Sequence, residues 1–429
     1  MNTSFSGKNK WVVARFGPYM HYAVPRMLHG AGRLERLYTD IYAGQGWTRL
    51  ARLVPEAVRP PGIRRLLGRV SPDLPPERVK SYSAFGLKYY ARRSRAVDWE
   101  KLSAVHLWAG SEFGRRVVHD GFGDAVAVYT FNTAALEILR AARERGLFTV
   151  MEQTIAPRAM EEMLLAEEQE RFPGWDPPRQ RGGAADATVE REAEEWALAD
   201  VITCGSEFVR NSIASCGGPV ERCVVVPYGV DGRFSIRRTR RNGGPLRVLS
   251  VGEAGLRKGA SYALETAKLL RGMAELRWVG PITLNAQARA RFEGHMEMTG
   301  AVPRSQILPH YEWADVFFLP SVCEGSATVT YEALTCGLPV ITTPNAGSMV
   351  RNGIDGFVVP VRDTAAMAAR LRQLHEDRDL LERMSTNASE SFPETSLSAY
   401  QARLLRALGD VRVQDRPPAA ASGVHTAAR

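Results

Sequence analysis

Short apolar runs alternate along the chain with longer stretches in which apolar positions recur every three or four residues, and glycine or proline separates the two patterns. A buried parallel strand needs the first pattern and a half-buried helix the second. Residues 11–16, 34–38, 104–108, 125–131 and 148–151 are thereby predicted as strands, with helices over 19–28 and 133–145. The acid-rich residues 160–195, broken by RFPGWDPPRQRGG, read as two helices joined by a loop, and ADVITCGSEFVRNSI as strand, loop and helix. The alternation restarts at 246–251, where Gly252 ends the strand. It continues through a helix over 258–270, a strand over 276–279 and helices over 364–374 and 380–389. Two doubly wound α/β domains in tandem account for this order. The expected boundaries are 1–236 for the first domain, 237–245 for a basic, glycine-rich linker and 246–392 for the second domain. An amphipathic helical segment over 393–410 follows, then a Pro/Ala-rich tail over 411–429 that is expected to be disordered.

The stretch 314–344, ADVFFLPSVCEGSATVTYEALTCGLPVITTP, organises the rest. Its apolar run 316–319 predicts a strand stopped by Pro320, followed by a polar loop. Thr328 is placed to N-cap a helix over 329–336, Gly337 to end it, and 338–342 to form the next strand. Ligands of such sheets bind beyond the carboxyl ends of the strands. Two carboxylates, Glu324 and Glu332, bracket the loop that lies there. In isolation such a pair reads first as a loop acid and a helix-surface acid, because Glu is mostly exposed. Between them Gly325, Ser326, Ala327 and Thr328 carry no charge, and backbone N–H groups at a helix N-terminus suit an anion. The carboxylates could then accept hydroxyls of the same ligand. Upstream, SVGEAGLRKG (250–259) sets Arg257 and Lys258 just before a helix, where two cations and free N–H groups can hold a diphosphate. The combination suits a sugar nucleotide.

The spacing E-x7-E, followed by A-L-x-C-G-L-P-V-I over 333–341, resembles the family 4 retaining glycosyltransferases of GT-B fold. Glu324, Glu332, Gly337, Pro339 and Val340 stand where that motif has them. The likeness runs over about 201–363: VPYGVD (226–231) is similar to the family's motif at the end of the first domain, and 250–259 to its donor-phosphate loop. This resemblance implies an α/β architecture of two Rossmann-like domains facing a cleft, with the helix over 397–408 crossing back onto the first. It implies that Glu324 binds hydroxyls of the donor sugar and Glu332 the ribose. Arg257 and Lys258 would neutralise the departing diphosphate, a role that a divalent metal takes elsewhere, so no metal or other cofactor is expected. Gly17, at the first βα turn, would let the backbone approach the substrates. Three places depart from the family pattern. Glu253 stands where many members have Arg, YTFNTAA (129–135) lacks the His of many relatives, and 345–349 lacks an acid. Asn132, His106 or Glu152 could line the cleft in that His's place, and each reads equally as structural.

At 429 residues, with 45% hydrophobic and 24% charged residues, the chain has the size and balance of two or three globular domains. No apolar run approaches the ~18 residues of a membrane span. The first residues lack the apolar core of a signal peptide, so a cytoplasmic location is expected. Five cysteines without CxxC spacing and eight scattered histidines argue against a disulfide framework or a structural metal. Charge changes the picture in one place. The formal net charge is +9, and residues 49–95 hold twelve Lys or Arg against three acids, interleaved with apolar residues. A solvated basic face fits this, and so does a surface for anionic lipid or an anionic acceptor. Nucleic acid is not an expected partner, because no nucleic-acid motif accompanies the charge. The expected partners are a nucleotide-sugar donor and a hydroxyl acceptor: a glycolipid or polysaccharide at the inner face of the membrane, or a small molecule. A catalytically weak sugar-nucleotide-binding subunit is the alternative from another class.

Overall fold

The structure, a computed structural model, describes residues 9–45, 48, 59, 61–179, 182–234, 236 and 243–409. Arg49, Arg52, most of the expected linker and the expected disordered tail lie outside the described residues. The first domain is built on seven parallel strands: β1 (Trp11–Ala14), β2 (Leu34–Thr39), β3 (Val79–Ser81), β4 (Ala127–Phe131), β5 (Phe148–Gln153), β6 (Val201–Cys204) and β7 (Cys223–Val225), in the order β3-β2-β1-β4-β5-β6-β7. The second has six: β8 (Leu246–Val251), β9 (Ala274–Val279), β10 (Met296–Gly300), β11 (Val316–Leu319), β12 (Val340–Thr342) and β13 (Gly356–Val358), in the order β10-β9-β8-β11-β12-β13.

Both faces of each sheet are covered by helices, which is why the strands read as continuous apolar runs. Val12 and Ala14 pack with Phe113 and Ile138 on one face, and Trp11 and Val13 with Met27 and Leu28 on the other. In β11, Val316 and Phe318 pack with Leu264 and Trp278, whereas Phe317 and Leu319 pack with Tyr311 and Leu334. The winding reverses between β1 and β4 and again between β8 and β11, so each domain has one crevice at its strand ends.

Helix Leu397–Leu408 crosses back onto the first domain. Tyr400, Leu404 and Leu408, four residues apart, join the core that holds Met27 and Leu34. The crossing is close: a Cβ on Gly229 would lie 2.3 Å from the Ser396 carbonyl oxygen.

The structure corrects two expectations. Residues 104–108 are not a strand but the middle of the 22-residue helix Trp99–Asp120, which Asp98 caps by accepting the Lys101 N–H at 2.7 Å. A short apolar run does not separate a buried strand from a buried helix face. Thr328 is the first helical residue of Thr328–Thr335, not its cap, and no side chain caps that end. The basic segment holds helices Pro61–Leu67 and Ser83–Arg93 and the edge strand β3.

Candidate active site

A cavity of about 390 Å³ lies between the two crevices. Pro18, Tyr19, Met20, His21, Arg26, Thr154, Ile155 and Asp231 line it from the first domain, and Lys258, Arg304, Glu324, Gly325, Ser326, Ala327, Thr328 and Glu332 from the second.

The cation pair is set by the chain leaving β8. A 3₁₀ turn, Leu256–Lys258, precedes helix Ala260–Leu269, and Gly259 joins them at φ +73°. A Cβ on Gly259 would sit 2.0 Å from the Pro320 carbonyl oxygen, so glycine is what lets this turn lie against the end of β11. The Arg257 carbonyl accepts the Val322 N–H at 2.9 Å, which fastens the two loops together. Across this junction Arg257 Nη1 and Lys258 Nζ each approach Glu324 Oε1 to 2.7 Å. All three groups are largely buried. Burial alone would raise the Glu324 carboxyl, but Lys258 and Arg257 more than offset it and hold it below its ordinary value. For Lys258 burial prevails over the attraction of Glu324, so the ammonium titrates below its usual range.

Glu332 lies on helix Thr328–Thr335 with its side chain 3% exposed, and it still lines the cavity. Arg304 Nη2 donates to its Oε1 at 2.7 Å and the Tyr311 hydroxyl to its Oε2 at 2.9 Å. Of the loop between the acids, Ala327 spends its N–H on the Ala346 carbonyl at 2.9 Å. That donor is not turned to a ligand, contrary to expectation. The Ser326 hydroxyl is also engaged, with Tyr331 at 2.7 Å and the Gly347 carbonyl at 3.0 Å. Gly325 is where the domains meet: a Cβ there would lie 1.9 Å from the Thr154 carbonyl oxygen, and its own carbonyl accepts from Ser206.

The first-domain residues divide. Gly17 stands beside the cavity wall at φ +91° and donates its N–H to Asp40 Oδ1 at 2.9 Å, with Pro18 the first residue to line the space. Asn132 lies behind the wall: its Oδ1 accepts from the Thr154 hydroxyl at 2.9 Å and its amide donates to Glu192. Glu152 is 1% exposed, with the Tyr129 hydroxyl at 2.7 Å and the Tyr228 hydroxyl at 2.8 Å, so it serves the core of the domain. His106 is not among the lining residues, because helix Trp99–Asp120 carries it against Tyr89, ring to ring at 6.3 Å. Sequence reasoning missed Arg304, His21 and Arg26. Met20, His21 and Tyr22 take left-handed backbone at φ 46°, 51° and 60°, which no spacing announces. The one available signal for them was their place directly after the first strand.

Two Rossmann-like domains opposed across a cavity, with a C-terminal helix returning to the first, make this a GT-B fold. The sequence model of the family described as Glycosyl transferases group 1 matches residues 245–377. It is 31% identical over 231 residues to WcaL of Salmonella typhimurium, named for colanic acid biosynthesis, covering 49% of this chain and 57% of the relative. It is 28% identical over 188 residues to the amylovoran biosynthesis glycosyltransferase AmsK of Erwinia amylovora, covering 40% and 46%. The chain thus spans about half the length of the curated relatives it matches. Among solved structures, sucrose-phosphate synthase of Thermosynechococcus elongatus superposes with a TM-score of 0.65 at 17% identity, over 92% of this chain and 97% of the other. HepE of Anabaena, in complex with UDP and glucose, does so with 0.58 at 12%, over 93% and 99%. These two likenesses concern the fold.

Proposed function

We propose that this protein is a retaining hexosyltransferase that moves a sugar from a nucleoside diphosphate, UDP or GDP, to a hydroxyl of a glycolipid or polysaccharide intermediate. The observation that carries this reading is Glu324 held between Arg257 and Lys258 in a cavity shared by both domains. One carboxylate balances one of the two cations, so the group keeps a net positive charge that draws a diphosphate. Both cations meet the same oxygen, and Oε2 is the oxygen assigned to the sugar hydroxyls. The bond from the anomeric carbon to the diphosphate breaks with its electron pair going to the phosphate oxygen, whose growing charge Lys258 and Arg257 stabilise. The acceptor oxygen bonds to the same face, and its proton passes to the departing phosphate. Glu332 and Arg304 would hold the ribose end. The cations do here what a metal does in other transferases, so catalysis is proposed to be metal-independent. The polysaccharide names of WcaL and AmsK, and the UDP bound by HepE, support the choice of substrates.

The test is incubation with UDP-, GDP- and ADP-hexoses. One nucleotide should raise the melting temperature, since a ligand stabilises the native state it binds. Slow hydrolysis should release sugar in the donor's anomeric configuration, read by NMR. An inverted product overturns retention, and binding without hydrolysis favours the sugar-nucleotide-binding subunit.

A lipid-linked acceptor, rather than a small soluble one, is favoured by the surface of helix Ser83–Arg93 and the turn after it. Leu87 is 50% exposed and Val97 81%, beside exposed Lys88, Arg92, Arg93 and Arg95. Such a mixture suits the interface of an anionic membrane. Among the described residues no helix is long and apolar enough to cross a membrane. Arg69, counted with this basic surface in the sequence, does not belong to it. It is 8% exposed and makes a two-pronged bond to Asp40 at 2.7 and 2.8 Å.

A further inference from the structure

Residues 158–176 start on the first domain and finish in the second. Helix Arg158–Arg171 is rooted where Glu192 accepts the Arg158 N–H at 2.7 Å. Its other end is fastened across the gap. Glu168, fully buried, accepts from the Tyr262 hydroxyl at 2.7 Å and from Arg362 Nε at 2.6 Å, and Glu167 pairs with Arg362 at 2.7 Å. Trp175 then enters the core of the second domain, 3% exposed, in the same cluster as Leu256, Ala260 and Trp278. Its carbonyl accepts the Asn285 N–H at 2.8 Å.

The next residue, Asp176, meets the loop that carries the cation pair. Its Oδ2 accepts the Leu256 N–H at 3.0 Å, and Leu256 opens the turn Leu256–Lys258. The first N–H groups of any helical turn need an outside acceptor. The preceding residue, Gly255, has no side chain to provide one. A larger residue there would crowd its neighbours, because a Cβ would lie 2.6 Å from Thr283 Oγ1 and 3.3 Å from Asp176 Oδ2. A residue 80 positions earlier in the chain therefore caps the turn.

We propose that Asp176 is a positioning residue for the donor-phosphate loop: held on a strap rooted in the first domain, it fixes the Leu256 N–H and thereby the direction of Arg257 and Lys258. The geometry of the cation pair then depends on a segment that starts on the first domain and is anchored in the core of the second.

This inference rests on the sugar-nucleotide reading, and the experiment separates the two. Asp176→Ala removes the acceptor, whereas Asp176→Asn keeps an oxygen that can take the Leu256 N–H. In the full chain without nucleotide, hydrogen exchange at 256–259 should quicken at least tenfold in Asp176→Ala and stay near wild type in Asp176→Asn. Donor hydrolysis should follow: about a tenfold loss in kcat for Ala, smaller than the ~100-fold expected on removing a direct charge stabiliser, with KM changed less. The Asn variant should recover most of it. Unchanged exchange in Asp176→Ala overturns the proposal, as does an equal loss in both variants. Wild-type protein that binds no UDP, GDP or ADP overturns the site reading instead, while the exchange comparison still decides whether Asp176 holds the loop.

Discussion

Glu324 presents a single oxygen, Oε1, to both Arg257 Nη1 and Lys258 Nζ, each at 2.7 Å. The carboxylate is thus the internal counter-ion of the cations that would meet a diphosphate. Glu324→Gln should lower turnover at least ~100-fold, the scale of losing one transition-state contact. Nucleotide affinity should hold or rise, because the cations lose a competitor. Glu332→Ala should behave differently. It should weaken nucleotide binding by about 1–3 kcal/mol and also lower stability, since the buried Tyr311 hydroxyl loses its acceptor. Calorimetric titration beside kcat separates the two, and equal, mild effects on both quantities would remove the assignment.

Lys258 is the more enclosed of the two cations, its side chain 10% exposed against 22% for Arg257. A charge in that setting acts on a departing phosphate with little screening by water. Lys258→Ala should cost at least ~100-fold in kcat, and treatment of the wild type with a chelator should cost nothing. If activity falls on chelation and returns with Mg²⁺ or Mn²⁺, a metal carries the diphosphate and the role given to Lys258 is wrong.

What could be read from the sequence is what local pattern determines. The strand 316–319, the helix Leu397–Leu408 and the glycine stop at Gly337, at φ +68°, are each set by residues within a turn or two of one another. The edge strands β3, β7, β10 and β13 were not anticipated. Each pairs on one side only, and an edge strand needs no continuous apolar run. The acids at 324 and 332 carried their chemistry in their spacing, but their partners did not. Arg304 reaches Glu332 across 28 residues and Asp176 reaches Leu256 across 80, contacts that only the folded chain creates. Asn132 and Glu152 were placed near the right crevice, yet side-chain direction at a strand end decides between cavity and core. Both point to partners inside the domain.

The exposed basic surface gives a salt-dependent prediction. Lys88 and Arg92 sit over the Trp108 ring, at 5.5 and 4.0 Å, and with Arg93 and Arg95 they flank the exposed Leu87 and Val97. Each basic group near an anionic surface contributes roughly 1 kcal/mol, and the sum falls as salt rises. Replacing Lys88, Arg92, Arg93 and Arg95 with Ser should release the protein from vesicles containing phosphatidylserine while donor hydrolysis continues unchanged. Wild-type protein that ignores such vesicles at low salt would leave a soluble acceptor as the better assignment.

His106 predicts a measurable response of stability to pH. Its ring is mostly enclosed by helix Trp99–Asp120 and Tyr89, and burial, reinforced by Arg158 and Arg93, pulls its pKa from 6.5 to about 4, against a weaker opposing pull from Glu161. Between those values the unfolded chain binds a proton at this site and the folded chain does not, so acidification favours unfolding there. The contribution is complete above pH 6.5 and is lost as pH falls towards 4. One pKa unit corresponds to about 1.4 kcal/mol, so moving from pH 7 to pH 5 should cost wild type about 1–2 kcal/mol at this residue, the lower figure allowing for partial exposure of the ring. His106→Gln cannot take up that proton. Urea unfolding of both proteins at pH 7 and pH 5 should therefore show the gap between them shift towards the variant by that amount. Parallel pH dependence in the two would mean that the folded protein admits the proton, and that the ring is more open to water than its packing against Tyr89 allows.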